Sequence, residues 1–234
     1  MSSNTLMSPI QTKSKPTGSR TDAGRADSGR TYAGQSQAER KQQRRQQFLL
    51  AGLNLFGTVG FRQCTVRGIC REAKLTDRYF YAEFGRIEAL LTAVYEDCMI
   101  RIRNQVIQSL ANSTGSDPQV LIRKALTAFY EAMQDPRVAR VCMVELEGVS
   151  PEVDDLYHGY IESFADILLQ FMHSQVPDWR YSDSQAKIMG IAMVGAMRQA
   201  ATYGLRHPSR VSKADLIDIS SRLFIGVFNE IKTS

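Results

Sequence analysis

From Ala38 onward, apolar residues recur at the spacing of one helix face. In "AERKQQRRQQFLLAGLNLFGTVGF" the stripe is Phe48, Leu49, Gly52, Leu53 and Phe56. Gly60, with Phe61 beyond it, predicts a left-handed C-terminal stop that packs back on the helix. Thr65 is placed to cap "VRGICREA", whose inward stripe is Val66, Ile69, Cys70 and Ala73. Thr76 is placed to cap "DRYFYAEF", and only Ala73 to Leu75 lie between the two helix bodies. A long helix begins near Arg86 and runs through "IEALLTAVYEDCMIRIRNQVIQSL". Farther on, Asp117-Pro118, Asp135-Pro136 and Ser150-Pro151 each put a capping oxygen before a proline at the first helical position. Ser182 with Gln185, and Ser212 with Asp215, have capping-box spacing. These signals predict helices near 118–134, 136–148, 151–174, 183–205 and 213–231. No alternating strand pattern competes, so the chain is predicted to be all-α.

The short helix after Leu75 carries more aromatics than one core stripe needs. With Thr76 as zero and about 100° per residue, Phe80 falls at about 40° and Phe84 at about 80°. Those two, with Leu75, are the predicted core contacts. Asp77, Arg78 and Tyr81 fall between about 100° and 200°, away from the core, and Tyr79 sits on the flank. Two short helices joined by a tight turn, the second presenting Arg and Tyr outward, have the geometry of a helix-turn-helix. A tyrosine there packs on sugars or thymine methyls and reaches a phosphate oxygen, while an arginine bonds a guanine edge or clamps a phosphate.

Charge sharpens this picture. Residues 40–92 hold ten Arg and Lys against four Asp and Glu, whereas residues 93–234 hold fourteen against seventeen. The basicity therefore sits in one segment, as in a polyanion-binding module joined to a neutral-to-acidic body; a solvated charged surface is the plainer alternative. Residues 1–38 are polar and nearly free of apolar side chains, which predicts a disordered tail. The predicted organisation is a tail (1–38), a DNA-binding domain (39–92) and a C-terminal body (93–234).

Residues 48–96, "FLLAGLNLFGTVGFRQCTVRGICREAKLTDRYFYAEFGRIEALLTAVYE", resemble the N-terminal domain of the TetR (tetracycline-repressor) family of bacterial transcription regulators. The match runs through Phe56, Gly60-Phe61, Thr65-Val66-Arg67, Phe80-Tyr81, Phe84 and the Glu88-Ala89-Leu90-Leu91 opening of the fourth helix. The resemblance implies DNA contacts by Thr65 and Arg67 from the second helix, and by Thr76, Asp77, Arg78, Tyr79 and Tyr81 from the third. The chain departs from the family pattern in two places. Lys74 stands at the turn position that is usually glycine, where it must adopt the turn's backbone and adds a candidate phosphate contact. Ile87 stands where the family often has lysine, with Arg86 as its substitute. Asp77 has three readings: it accepts from a cytosine amino group, holds Arg78 or Arg67 in place, or favours the helix N-terminus.

Beyond about residue 97 the resemblance implies a helical ligand-binding and dimerisation domain. The last two helices are apolar over most of their circumference, which predicts burial on two sides. Ile188, Ile191, Ala192 and Gly195, with Leu216, Leu223 and Val227, are the candidate dimer interface; a monomeric bundle with both helices central is the alternative. Candidate effector contacts are Phe129, Tyr130, Met143, Phe164, Met172, Met193 and Met197, which at helical spacing also read as plain core.

No catalytic constellation, phosphate loop or metal set is found. Asp154 and His158 at i, i+4 are two ligands short of a site. The four cysteines, Cys64, Cys70, Cys98 and Cys142, read as packed, reduced thiols. No cofactor is expected, and without an apolar leader or membrane-spanning run the expected location is the cytoplasm. The expected function is a dimeric, ligand-responsive repressor on a palindromic operator in double-stranded DNA. An unknown small apolar effector would release it by moving the fourth helix. The alternatives are a constitutive or architectural DNA-binding protein without a ligand, and a helical enzyme with an incidental basic segment.

Overall fold

The computed structural model describes residues 36–111, 116–176 and 178–233. Among these residues it contains α-helices, one 3-10 turn and no strand. The helices are α1 (Gln37–Thr58), α2 (Val66–Ala73), α3 (Asp77–Glu83), α4 (Ile87–Leu110), α5 (Pro118–Ala132), α6 (Pro136–Met143), α7 (Pro151–Gln175), α8 (Asp183–Arg206) and α9 (Lys213–Thr233). Residues 1–35 of the predicted tail lie outside the described residues. Residues 37–234 form one compact unit, and α4 passes through position 92 without a break.

The caps explain why the helices start where they do. The side chains of Thr65, Asp117, Asp135 and Ser150 accept from the backbone N–H of Gly68, Gln119, Arg137 and Val153. Ser182 and Gln185 complete a reciprocal capping box, and Ser212 with Asp215 makes the same exchange at α9. Thr76 is different: its side chain makes no cap bond. Asp77 takes that place, its Oδ1 accepting from the Arg78 N–H at 2.8 Å. Two capping types side by side offered the helix start either oxygen, and the carboxylate won because it also favours the positive end of the helix dipole.

Two helix ends depart from expectation. Gly60 has φ 95° and ψ 150°, a positive φ outside the left-handed helical cap, and the chain continues into a 3-10 turn at Phe61–Gln63. Phe61 does pack back, its ring 5.8 Å from that of Phe56. α6 stops at Met143 rather than near 148. Beyond it Leu146 is buried, Gly148 has φ 74°, and Glu145 Oε2 accepts from the Phe61 N–H at 2.7 Å. That distant partner pulls the chain out of the helix.

α6 lies across the end of α1. A Cβ on Gly57 would stand 2.4 Å from the Cβ of Arg137 and 2.6 Å from its Cα, so the helices touch backbone to backbone. Arg140 donates to the carbonyl of Thr58 and pairs with Glu145 (2.6 Å). Arg137 donates to Asn54, whose amide reaches Glu72 of α2 at 3.2 Å. Its guanidinium also holds the Asp135 carboxyl below the usual carboxylate range. The short helices bearing Arg67 and Tyr81 are thus tied through α1 to α6.

Gly57→Ala is expected to destabilise the chain. Alanine gains about 1 kcal/mol of helix propensity. Overpacking against a backbone atom costs roughly 1–3 kcal/mol, and Arg137 has no side-chain rotamer that removes the clash. Chemical denaturation measures the net loss.

Candidate nucleic-acid interface

One apolar cluster supports the interface. Phe80 and Phe48 are fully buried, with ring centroids 5.6 Å apart, edge to face. Phe84, half-buried, packs on both at 5.8–5.9 Å. These contacts hold α3 against α1, as the wheel predicted, and leave the opposite face open. Tyr81 is 56% exposed and Tyr79 43%.

All nine residues predicted to meet DNA are exposed: Thr65, Arg67, Lys74, Thr76, Asp77, Arg78, Tyr79, Tyr81 and Arg86. They come from the start of α2, the turn, α3 and the start of α4. Arg86 is the N-cap residue of α4. Asp77, as above, is engaged with the backbone at its own helix start.

Lys74 is the only non-glycine residue with positive φ among those described. Its φ of 55° and ψ of 38° are left-handed helical, and its N–H closes α2 on Arg71 and Cys70. An L-residue pays about 1–2 kcal/mol for that conformation. Lys74→Gly is therefore expected to stabilise the fold by up to about 1 kcal/mol, after the extra chain entropy of glycine is subtracted. It is also expected to lower the salt slope of DNA binding by about one, if the lysine meets a phosphate. Denaturation and a salt titration read the two effects.

The structure adds a residue that the aromatic pattern did not single out. The guanidinium of Arg44, on α1, lies over the Tyr79 ring at 4.5 Å. It lines a cleft with Lys41, Arg45 and Arg78. The basic run at the start of α1 was visible in sequence, but its pairing with a tyrosine 35 positions on was not.

This arrangement has known counterparts. The sequence model of the family described as "Bacterial regulatory proteins, tetR family" matches residues 48–94. That match covers the helix-turn-helix region, from within α1 to within α4, which is about a fifth of the chain. Similar solved structures reach well beyond the matched segment. The fatty acid degradation regulator FadR from Bacillus halodurans is 15% identical, with a TM-score of 0.68 over 78% of this chain and 95% of its own. FadR from Bacillus subtilis, solved in complex with stearoyl-CoA, is 14% identical, with a TM-score of 0.66 over 76% and 96%. A tetR family transcription regulator from Shewanella sp. PV-4 is 20% identical, with a TM-score of 0.64 over 79% and 97%. At these identities the likeness is one of fold. No curated protein matches the chain significantly.

In the C-terminal body an apolar cavity of about 170 Å³ lies among α4, α5, α7, α8 and α9. Of the predicted effector contacts, Phe129, Phe164 and Met197 line it. Tyr130, Met143, Met172 and Met193 do not: all four are buried, and the Tyr130 hydroxyl is paired with Ser220 at 2.7 Å. The remaining wall includes Leu121, Leu126, Leu168, Phe171 and Phe224, aliphatic and aromatic residues that sequence alone does not separate from core.

On the outer side of α8 and α9, Ile188, Ile191 and Leu223 are 66, 37 and 47% exposed. Ala192 is exposed too, and nothing stands within 4 Å of a Cβ on Gly195. Val227 is half-buried beside them. Leu216 is placed differently: its Cδ1 lies 2.8 Å from a Cβ position on Gly204, inside the α8–α9 contact. All four cysteines are free, with Cys64 half-buried and the others buried. Asp154 accepts from the Gly148 N–H at 2.9 Å, and no group of three metal-ligating side chains occurs among the described residues. No helix of the described residues is long and apolar enough to cross a membrane.

Proposed function

We propose that this chain is a TetR-family regulator: a cytoplasmic, dimeric repressor released from a palindromic operator by an apolar effector. The observation that carries the ligand-responsive part is the cavity in the body, walled almost wholly by apolar side chains. Dimerisation is supported by the apolar outer face of α8 and α9, which a two-fold copy would cover. Two DNA-binding units related by that axis would read two half-sites about one helical turn apart.

The tie between α6 and α1 gives such an effector a route to the DNA. Filling the cavity displaces α4, which packs on both α1 and α6, and Gly57, Thr58 and Phe61 carry any shift of α6 to α1. The equilibrium then favours a state in which the two units no longer fit their half-sites. The similar FadR structure with stearoyl-CoA makes acyl chains the first ligands to test.

One observation favours the constitutive alternative. Ligand pockets are commonly about 300–1,000 Å³, and this cavity is about 170 Å³. A ligand must therefore be small or must move the flexible Met197 and its neighbours. The test has two parts. Selection from randomised duplexes is expected to return a two-fold symmetric site. At about 100 times its Kd, an acyl ligand adds about 2.7 kcal/mol of stability. That is roughly 5–11 °C in melting temperature for a chain of this size. Symmetric DNA selection with no thermal shift from any acyl probe would leave the constitutive reading standing.

A further inference from the structure

Arg198, on α8, has a buried Nε–H with no hydrogen-bond partner. Its side chain is 21% exposed overall, and its guanidinium carbon lies 4.9 Å from the centre of the Tyr157 ring. The other end of the guanidinium is engaged with α6 and the segment after it. Nη2 donates to the carbonyl of Met143, the last residue of α6, at 3.1 Å, and to Glu147 at 3.4 Å. The Glu147 side chain is 73% exposed and its contact is long, so it holds the arginine weakly. A buried donor without an acceptor costs free energy, so an acceptor brought to it would recover that cost.

The position of this donor gives it a meaning. Met197, the preceding residue, lines the apolar cavity, as does Phe164 of α7. Phe164 and Tyr157 are two turns apart on one face of α7, about 10 Å along the axis. The cavity and the orphaned N–H thus stand at neighbouring levels of the same α7–α8 pair. A molecule with an apolar chain in the cavity and an oxygen acceptor at one end would reach both. A carboxylate in a partly dry site needs a charged donor, and a guanidinium is the donor best matched to it.

Building on the cavity as the effector site, the geometry points to a head-group subsite: Arg198 binds the terminal acyl oxygen of the effector, whether a free carboxylate or a thioester carbonyl. The effector is then an amphiphile, not a plain hydrocarbon. Binding also draws Arg198 away from the Met143 carbonyl. That frees the end of α6, the helix that abuts Gly57 and donates to Thr58.

The test uses the full chain and three ten-carbon probes: decanoate, decanoyl-CoA and decanol. Calorimetry of the wild type is expected to show at least one of the two acyl probes binding ten-fold or more tightly than the alcohol. Arg198→Gln is expected to bring that ratio to about one while decanol affinity stays within three-fold. A preference for decanoyl-CoA over decanoate assigns the thioester as the source, and the reverse assigns the free acid. An unchanged ratio in the variant, or equal binding of acid, thioester and alcohol by the wild type, overturns the subsite and leaves the cavity reading intact. Where no probe binds the wild type, both fall. If Arg198→Gln fails to fold by circular dichroism, Arg198→Lys replaces it. That variant keeps the charge but loses the Nε–H, so a ratio reduced by less than three-fold overturns the assignment.

Discussion

Arg67→Ala or Tyr81→Ala is expected to abolish operator retention in a gel shift at moderate salt, with the circular dichroism still helical. Both side chains are exposed, and Arg67 takes part in no ion pair among the described residues. Their removal therefore costs the fold little, since surface changes away from special features stay within about 0.5 kcal/mol. The cost falls on DNA instead. One good base contact is worth about 1–3 kcal/mol. A two-fold dimer loses each contact twice, so affinity drops by about 2–6 kcal/mol, or roughly 30-fold to more than 10,000-fold at 1.4 kcal/mol per decade. Unchanged retention in both variants would remove α2 and α3 from the interface.

The second large effect is structural. Phe80→Ala is expected to cost about 3–5 kcal/mol, the usual price of deleting a buried phenylalanine. Phe80 is fully buried and touches Phe48, Phe84 and Tyr81 ring to ring. α3 has only seven residues, too few to be helical on its own, so packing supplies its stability. At about 2–4 °C per kcal/mol, the melting temperature falls by roughly 6–20 °C, and DNA binding falls with it. Phe84→Ala, at a half-buried position, serves as the comparison. If it lowers the melting temperature as much as Phe80→Ala, Phe80 is not the central contact.

The division of labour within "DRYFYAEF" was legible in the sequence because a helix of known pitch assigns each side chain a direction. Phe80 faces in and Tyr81 faces out, as the wheel predicted. The starts of α5 to α9 were legible for a similar reason: the capping residues are local, and each acts within three positions. What depended on distant partners was not legible. The early end of α6 follows from a bond between Glu145 and Phe61, 84 residues apart. The cavity was half-read for another reason. Methionines and aromatics were picked by type, but Met172 and Met193 fill the core, while leucines that carry no signal line the space.

Glu83 accepts from Arg45 at 2.9 Å and stands 3.7 Å from Lys41. Two of the cations at the start of α1 thus already have a fixed anion beside them. Each phosphate neutralised by a free cation releases condensed counterions, and the salt dependence of affinity counts those releases. A cation balanced by Glu83 releases fewer, so the salt slope of this chain on DNA is expected to be shallower than its number of basic residues suggests. What a salt titration measures here is not basicity but basicity left unbalanced by the protein itself.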